Sequence, residues 1–402
     1  MTESIAVRCC IAGGGPAGMM LGLLLGRAGI DALVLEKHGD FLRDFRGDTI
    51  HPSTLRLMDE LGLLGDFLKL PHQRAEELAV VIGGRQYRAA DFRHLGQHAN
   101  FIAMMPQWDF LNFLAAQGAR YPGFGLRMRA EATGLLEGQG RVVGITAATP
   151  EGTIEVRADL VVAADGRHST LRAQAGLAVR DFGAPMDVLW FALSRRADDP
   201  EETLGYFDDG LIFIRINRGQ HWQCGYVIAK GTLEHLREAG LPAFRERVLA
   251  RLPFVRDRIG EIASWDSVKL LTVQVDRLLR WHRPGLLCVG DAAHAMSPVG
   301  GVGINLAIQD AVAAANLLAG PLRSRTVTEE HLAAVQRRRE FPTRATQWLQ
   351  VQVQQRLISR VLARRRRLEA PLLLRLFDRS ALLRRIPACV VGIGIRPEHI
   401  RI

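Results

Sequence analysis

Residues 5–18, IAVRCCIAGGGPAG, constrain this chain more than any other stretch. The apolar run at 5–12 reads as a buried strand. The next six residues, Gly13, Gly14, Gly15, Pro16, Ala17 and Gly18, open a helical pattern that lasts to about Ala28. Gly29 ends it, and a second apolar run at 32–35 closes on Glu36. A G-x-G-x-x-G turn has physical meaning in this context: strand before, helix after, and an acid at the end of the next strand. Glycines let the backbone turn and approach a pyrophosphate, whose charge the helix N-terminus stabilises. Glu36 is placed to accept the hydroxyls of an adenosine ribose. A bound dinucleotide is the expectation.

Two later stretches repeat the theme. Residues 285–318, GLLCVGDAAHAMSPVGGVGINLAIQDAVAAANLL, pass from an apolar run at 286–289 to Asp291 and a glycine-rich turn (Gly300, Gly301, Gly303). A helix follows over 304–318, rich in Ala and Leu. An acid at a strand end, bare backbone and a helix N-terminus suit a large ligand carrying oxygens and negative charge. Taken alone, the stretch also reads as an ordinary strand-to-helix crossover. Residues 160–164, LVVAA, likewise deliver Asp165 and Gly166 at a strand end, followed by Arg167, Ser169 and Arg172; a plain Asp-Gly turn is the alternative.

Between these motifs the chain changes character. Helices are expected at 52–64 and 107–120, a hairpin at 77–92 turning at Gly83-Gly84, a strand near 126–133, and a further hairpin at 142–156. From 183 to about 275, alternating apolar runs at 188–193, 211–216 and 221–228 predict an antiparallel sheet, with a helix at 241–252 and a strand near 269–275. The expected organisation is α/β: a Rossmann-like nucleotide domain from 1–75, 101–178 and 282–342. An interleaved antiparallel-sheet substrate domain takes 76–100 and 179–281, and a basic helical C-terminal tail takes 343–402.

The charge of +10 suggests nucleic acid until it is located. Residues 337–402 hold sixteen arginines against four acids, a net of +12, so the remainder of the chain carries about −2. No nucleic-acid partner is therefore expected. Five cysteines in no metal or disulfide spacing, three of them (Cys9, Cys10, Cys288) in strand-like runs, fit reduced thiols and a cytoplasmic setting. No signal peptide or uncharged membrane span is read, and no metal is expected.

Together, GGGPAG with Glu36, ADGRHSTLR at 164–172 and GDAAHAMSPVGGVGINLAIQD at 290–310 resemble the para-hydroxybenzoate hydroxylase family. These are single-component FAD monooxygenases, among them ubiquinone-biosynthesis hydroxylases. The resemblance covers about residues 5–340. It implies FAD extended across the nucleotide domain, with Gly13, Gly15, Pro16, Ala17, Gly18, Glu36 and Lys37 at the adenosine end. Arg46 and Gln107 would contact the pyrophosphate or ribityl chain; many relatives carry Arg where this chain has Gln107. Asp165 and Gly166 would support FAD and passing NAD(P)H, and Asp291 would bind ribityl hydroxyls. Pro298, Gly301, Gly303, Ile304 and Asn305 would face the isoalloxazine. The implied reaction is an NADH- or NADPH-driven hydroxylation of an aromatic or quinone-type small molecule by O2, through a flavin C4a-hydroperoxide.

The substrate side is less legible. Trp190, Tyr206, Phe213, Trp222 and Tyr226 are candidate pocket walls, Phe213, Trp222 and Tyr226 foremost. No catalytic acid or base stands out; His294 reads better as a structural or flavin-neighbouring residue than as a base. The tail, with its arginine run at 364–367 and the run APLLLRLFDRSALLRRIP, reads as an amphipathic element docked on the body or a dimer mate, or touching the inner membrane surface. Rival functions on the same fold are an FAD-dependent reductase, epoxidase or N-hydroxylase, and a non-turnover FAD-binding redox sensor.

Overall fold

A computed structural model of the chain describes residues 3–42, 49–96, 100–208, 210–363 and 369–402. Glu3–Ala12 lies inside a sheet whose order is His282–Arg283, Leu286–Cys288, Gly152–Ala163, Glu3–Ala12, Ala32–Glu36, Phe124–Met128. All neighbours from Leu286–Cys288 onward pair parallel. Ala12 lies level with Ala163 on one side and Leu35 on the other, and Ala163 with Cys288. Because these four strands share one direction, the residues after them form a single lip. The sheet is covered on both faces, as parallel sheets are. The helices Pro16–Arg27, Gln107–Gly118 and Gly303–Ser324 lie on one face, while Val142, Ile145, Trp281 and Leu171 pack the other. Within it, burial pushes the Cys10 thiol up to about 12, so this cysteine acts as a small hydrophobe.

A second, seven-stranded sheet runs Lys269–Leu271, Met186–Ser194, His221–Ala229, Leu211–Asn217, Leu204–Asp208, Glu77–Ile82, Arg85–Asp91. Its pairs are antiparallel except where Leu204–Asp208 meets Glu77–Ile82. Successive side chains point to opposite faces. One face carries Phe191, Phe213, Trp222 and Tyr226 under the helix Leu241–Leu249, against Phe244 and Val248. The other carries Val188, Trp190, Ile212 and Val227 and packs with Met104 and Val299, the latter from the third motif.

Several elements depart from expectation for local reasons. The helix at 52–64 divides into Pro52–Glu60 and Leu64–Phe67, because Gly62 takes φ +72°. The strand near 126–133 becomes Phe124–Met128 and Glu131–Gly138, separated at Arg129 with φ +54°. Gly152–Ala163 runs unbroken through Asp159, whose charge Arg8 meets at 2.5 Å. The helix at 304–318 extends over Gly303–Ser324, carried through Pro321. It is long and apolar enough to cross a membrane, but most of it is buried in the core. The helix Glu329–Val353 passes straight through position 343, so the tail begins as part of a body helix. Its continuation supplies Ile358, Val361 and Ala388 to the cluster around Trp190.

The turn after the first strand is too tight for a side chain at Gly13 and Gly18. A Cβ on Gly18 would lie 1.9 Å from the Gly13 carbonyl oxygen. Gly18→Ala is expected to destabilise the chain by about 3 kcal/mol, through overpacking against rigid backbone. Urea denaturation followed by circular dichroism measures the loss.

Candidate functional site

Four motif ends meet at the lip of the parallel sheet. Gly13, with φ +108°, sits where a Cβ would come 2.3 Å from the Ala164 carbonyl oxygen, so the first and second motifs touch backbone to backbone. Gly15, in contrast, faces open space: a Cβ there would meet nothing within 4 Å. It precedes the Pro16–Arg27 helix, whose N-terminus has neither a side-chain cap nor an acid in its first turn. Glu36 is buried and accepts from the amides of Gly14 and His38, both at 3.0 Å. Its carboxylate is thereby fixed at the edge of the glycine turn.

Asp165 ends the second motif. Its Oδ2 accepts from the Leu171 amide at 3.3 Å, while its buried Oδ1 has no hydrogen-bond partner among the described residues. Burial raises the Asp165 carboxyl above its ordinary range, against opposing hydrogen bonds from Ser169 and nearby amides. Arg167 reaches from the second motif to Asp291 Oδ2 at 3.4 Å, and Arg172 donates to the Ala292 carbonyl at 3.3 Å. Gly13, Glu36, Asp165 and Asp291 are therefore gathered by strand register and cross-motif bonds. Gly166, with φ +89°, turns the chain directly after Asp165.

Beyond Asp291 the chain makes the turn at 298–303, with Gly300 and Gly301 at φ +78° and +63°. The helix Gly303–Ser324 then starts with no side-chain cap and no acid in its first turn, leaving Ile304 and its neighbours at an uncompensated N-terminus. The Asn305 side chain is a clamp. Its Oδ1 accepts from the His51 amide at 2.9 Å and Thr54 Oγ1 at 2.7 Å, and its Nδ2 donates to the Thr49 carbonyl at 3.1 Å. The side chain is thus committed to protein partners, and its backbone is what remains for a ligand. Among the other expected contacts, Ala17 is buried and Gln107 is half-buried at its helix start. Lys37 is exposed, 3.9 Å from Glu131. Arg46 lies outside the described residues.

The substrate candidates need correction. Phe213, Trp222 and Tyr226 are buried on the sheet face under the Leu241–Leu249 helix, away from the face that packs Val299, and Tyr206 packs with them. They are core: strand parity sends every second residue to the far face, and these four aromatics fall there. Trp190 alone of the five lies on the face toward the third motif, and its buried Nε1 has no partner among the described residues. His294 is also structural, fully buried with Nε2 2.6 Å from Asp310 and its ring 5.0 Å from Trp281.

Sequence reasoning missed the groups that hold the third motif in place. Gln347, Gln350 and Gln354 recur on one face of the long helix and its continuation, all buried. Gln347 Nε2 donates to the carbonyls of Asp276 at 2.6 Å and Ala295 at 3.1 Å. Gln350 accepts from the Ser297 amide at 3.1 Å and donates to the Ser297 and Val299 carbonyls at 2.9 Å. Gln354 donates to Ser297 Oγ at 2.7 Å. The 295–299 backbone is thus bonded by two side-chain amides, Gln347 and Gln350, while Gln354 fixes the Ser297 hydroxyl. Glutamine spacing on a helix was the only available signal.

Asp310 was missed too. It accepts from the Gly290 amide at 3.1 Å, from His294, and from Arg339 Nε at 3.0 Å. Burial opposes its charge, but His294 and Arg339 outweigh burial and hold the carboxyl below its ordinary range.

These observations fit FAD. An open glycine turn under an uncapped helix suits a pyrophosphate, the unpartnered Asp165 oxygen suits a ligand donor, and the bare Gly303 N-terminus suits an anionic ring edge. Among the described residues no group of three or more His, Cys, Asp or Glu is placed to hold a metal.

Comparison with known proteins agrees. A family model described as FAD binding domain matches residues 6–349. The chain is 34% identical over 354 residues to a 6-methylpretetramide 4-monooxygenase of Streptomyces rimosus, covering 87% of this chain and 84% of that protein. It is 31% identical to a 12-dehydrotetracycline 5-monooxygenase/anhydrotetracycline 6-monooxygenase of the same species, covering 75% of this chain and 60% of that protein. The crystal structure of p-nitrophenol 4-monooxygenase from Pseudomonas putida superposes with a TM-score of 0.75 at 19% identity, covering 98% of this chain and 100% of that one. The chain belongs to the FAD-binding-domain family of flavoprotein monooxygenases, with the fold of the para-hydroxybenzoate hydroxylase group, and is an FAD-dependent monooxygenase.

Two expectations follow. Gln350→Leu leaves the Ser297 amide and two carbonyls without partners, at a cost of about 2–4 kcal/mol. It should weaken FAD retention, measured by flavin fluorescence after dialysis. Gln352→Leu, half-buried on the same helix and not bonded to the loop, serves as control. His51 is buried with Nδ1 2.8 Å from the Val391 carbonyl, and burial lowers its pKa from 6.5 to about 4. Between those values the unfolded chain takes a proton that the folded one refuses. Stability should therefore fall with decreasing pH through that window, by up to about 1.4 kcal/mol per unit. Chemical denaturation across pH should show the slope flatten in His51→Gln.

Proposed function

We propose that the chain couples the oxidation of NADH or NADPH to hydroxylation of an aromatic or quinone-type small molecule by O2. The observation that most supports this reading is the arrangement at the sheet lip. Four motif ends and an uncapped helix N-terminus converge there, and the loop between them packs on the apolar face of the antiparallel sheet.

Each group has a distinct task in this reading. The backbone amides of Gly14 and Gly15 and the helix behind them bind the pyrophosphate, and Glu36 accepts the adenosine ribose hydroxyls. Asp291, steadied by Arg167, accepts the ribityl hydroxyls. Backbone amides near Gly303, Ile304 and Asn305 stabilise negative charge on the adjoining ring edge, in a site where low dielectric strengthens the interaction. When bound, FAD supplies the transfer of two electrons from the nicotinamide and the activation of O2.

The protein excludes water from the reacting end with Val188, Ile212 and Val227. Trp190 Nε1, a buried donor without a partner among the described residues, would give its hydrogen bond to a substrate oxygen. Two of the similar relatives are named for tetracycline-type substrates, so an oxygenated fused-ring aromatic is the first class to test.

Purified flavoprotein incubated with NADH or NADPH and candidate phenols or fused-ring aromatics should show substrate-stimulated oxidation and one atom from 18O2 in the product. Stimulated oxidation without oxygen incorporation would convert the reading to a reductase. Asp291→Ala should lose the yellow flavin spectrum on purification; full FAD retention would sink the role given to Asp291.

A further inference from the structure

The C-terminal helices Leu372–Arg379 and Ala381–Ala388 lie on the edge strand Arg85–Asp91 of the antiparallel sheet. Their inner faces are moored. Leu374 packs with Ile82 and Tyr87, and Ala388 joins the cluster that holds Phe92. Arg384 is turned inward, donating to the carbonyls of Phe377 and Asp378 at 3.2 and 2.9 Å.

The outer faces are apolar. Of the fourteen exposed large apolar side chains among the described residues, six fall between 372 and 390: Leu372, Leu373, Leu376, Leu382, Ile386 and Val390. Leu372 is 73% exposed and Leu382 67%. Leu382, Ile386 and Val390 recur every fourth residue, which makes a stripe along one side of the second helix and the turn after it.

The charge on these outer faces has one sign. Arg375, Arg379 and Arg385 are exposed. Of the two acids nearby, Asp378 is held by the Arg88 amide at 3.1 Å and by Arg85 at 3.5 Å. Glu369 is engaged by Arg375 at 3.1 Å, in a solvent-exposed pair that adds little. A second copy docking face to face would set arginines against arginines. Headgroup phosphates would meet them with the opposite sign, while the leucines entered the acyl boundary and the arginine stems lay along it.

We propose that this outer face docks on an anionic lipid bilayer, laying the antiparallel-sheet unit of the chain against the membrane surface. The inference is independent of the reaction the chain performs and is tested without measuring turnover.

Full-length FAD-loaded protein should co-sediment with vesicles of phosphatidylcholine mixed with phosphatidylglycerol and not with phosphatidylcholine alone. Binding should weaken as salt is added. Replacing Arg375, Arg379 and Arg385 by Gln should cost about fivefold in partitioning per arginine. The pair Leu376→Ser and Ile386→Ser should also reduce binding, with FAD content and melting temperature unchanged because both side chains are exposed. Equal binding to the two vesicle types, or no binding to either, overturns the proposal. So does a concentration-dependent dimer in analytical ultracentrifugation that Leu382→Ser abolishes, which would assign the face to a second copy.

Discussion

The buried carboxylate of Asp310 is the constraint on which the third motif depends. A charge with no exposure to water persists only if its partners are fixed around it. Here the partners come from three places: the Gly290 amide at the strand end, His294 after it and Arg339 on the next helix, which also holds the Glu398 carboxylate at 3.4 Å. Each partner anchors a segment that the lip requires. Losing Arg339 would strip the buried carboxylate of a charged partner, at a cost of about 3–5 kcal/mol. The turn that presents Asp291 is thus held by an ion-pair chain lying behind it, not by the turn itself.

The same logic explains the glutamines. A loop that must offer backbone to a flat ring cannot also use its amides and carbonyls in a sheet. Residues 295–299 are consequently bonded by the side chains of Gln347, Gln350 and Gln354. Neutral amides suit this place. Each can donate and accept at once, and none adds a charge beside a site that must stabilise a negative one.

What could be read from residues alone follows how local the physics is. The first motif was fully legible, because the glycine turn, the helix behind it and Glu36 are specified within about thirty residues. The hairpin at 77–91 was legible from its paired glycines, and the acids that end apolar runs marked strand ends that the structure brings together. Trp222 and Tyr226 show where this stops. Alternation sorts side chains into two faces but does not say which face meets the flavin loop, and aromatic residues occupy both. Gln347, Gln350 and Gln354 were hidden for another reason: among arginines on a helix, polar residues read as a solvated surface, and only tertiary contact shows them buried. Asp310 lay inside the most distinctive motif, yet its partners Arg339 and Glu398 are supplied from elsewhere in the chain.

The C-terminal segment shows how far such dependence reaches. After the exposed helices the chain turns back to the nucleotide-binding unit. Glu60 accepts from the Ile400 amide at 2.8 Å, and Asn316 bonds both the His399 carbonyl at 2.7 Å and the Arg401 amide at 2.9 Å. Ile400 and Ile402 pack against the main core, and Glu398 completes the Arg339 pair. The 372–390 helices are therefore held at both ends by chain that contacts the lip: Gln354 and the long helix before them, Glu398 after them. Gln350 on the long helix bonds Ser297 and Val299 directly, while Glu398 reaches the Gly290 amide only through Arg339 and Asp310.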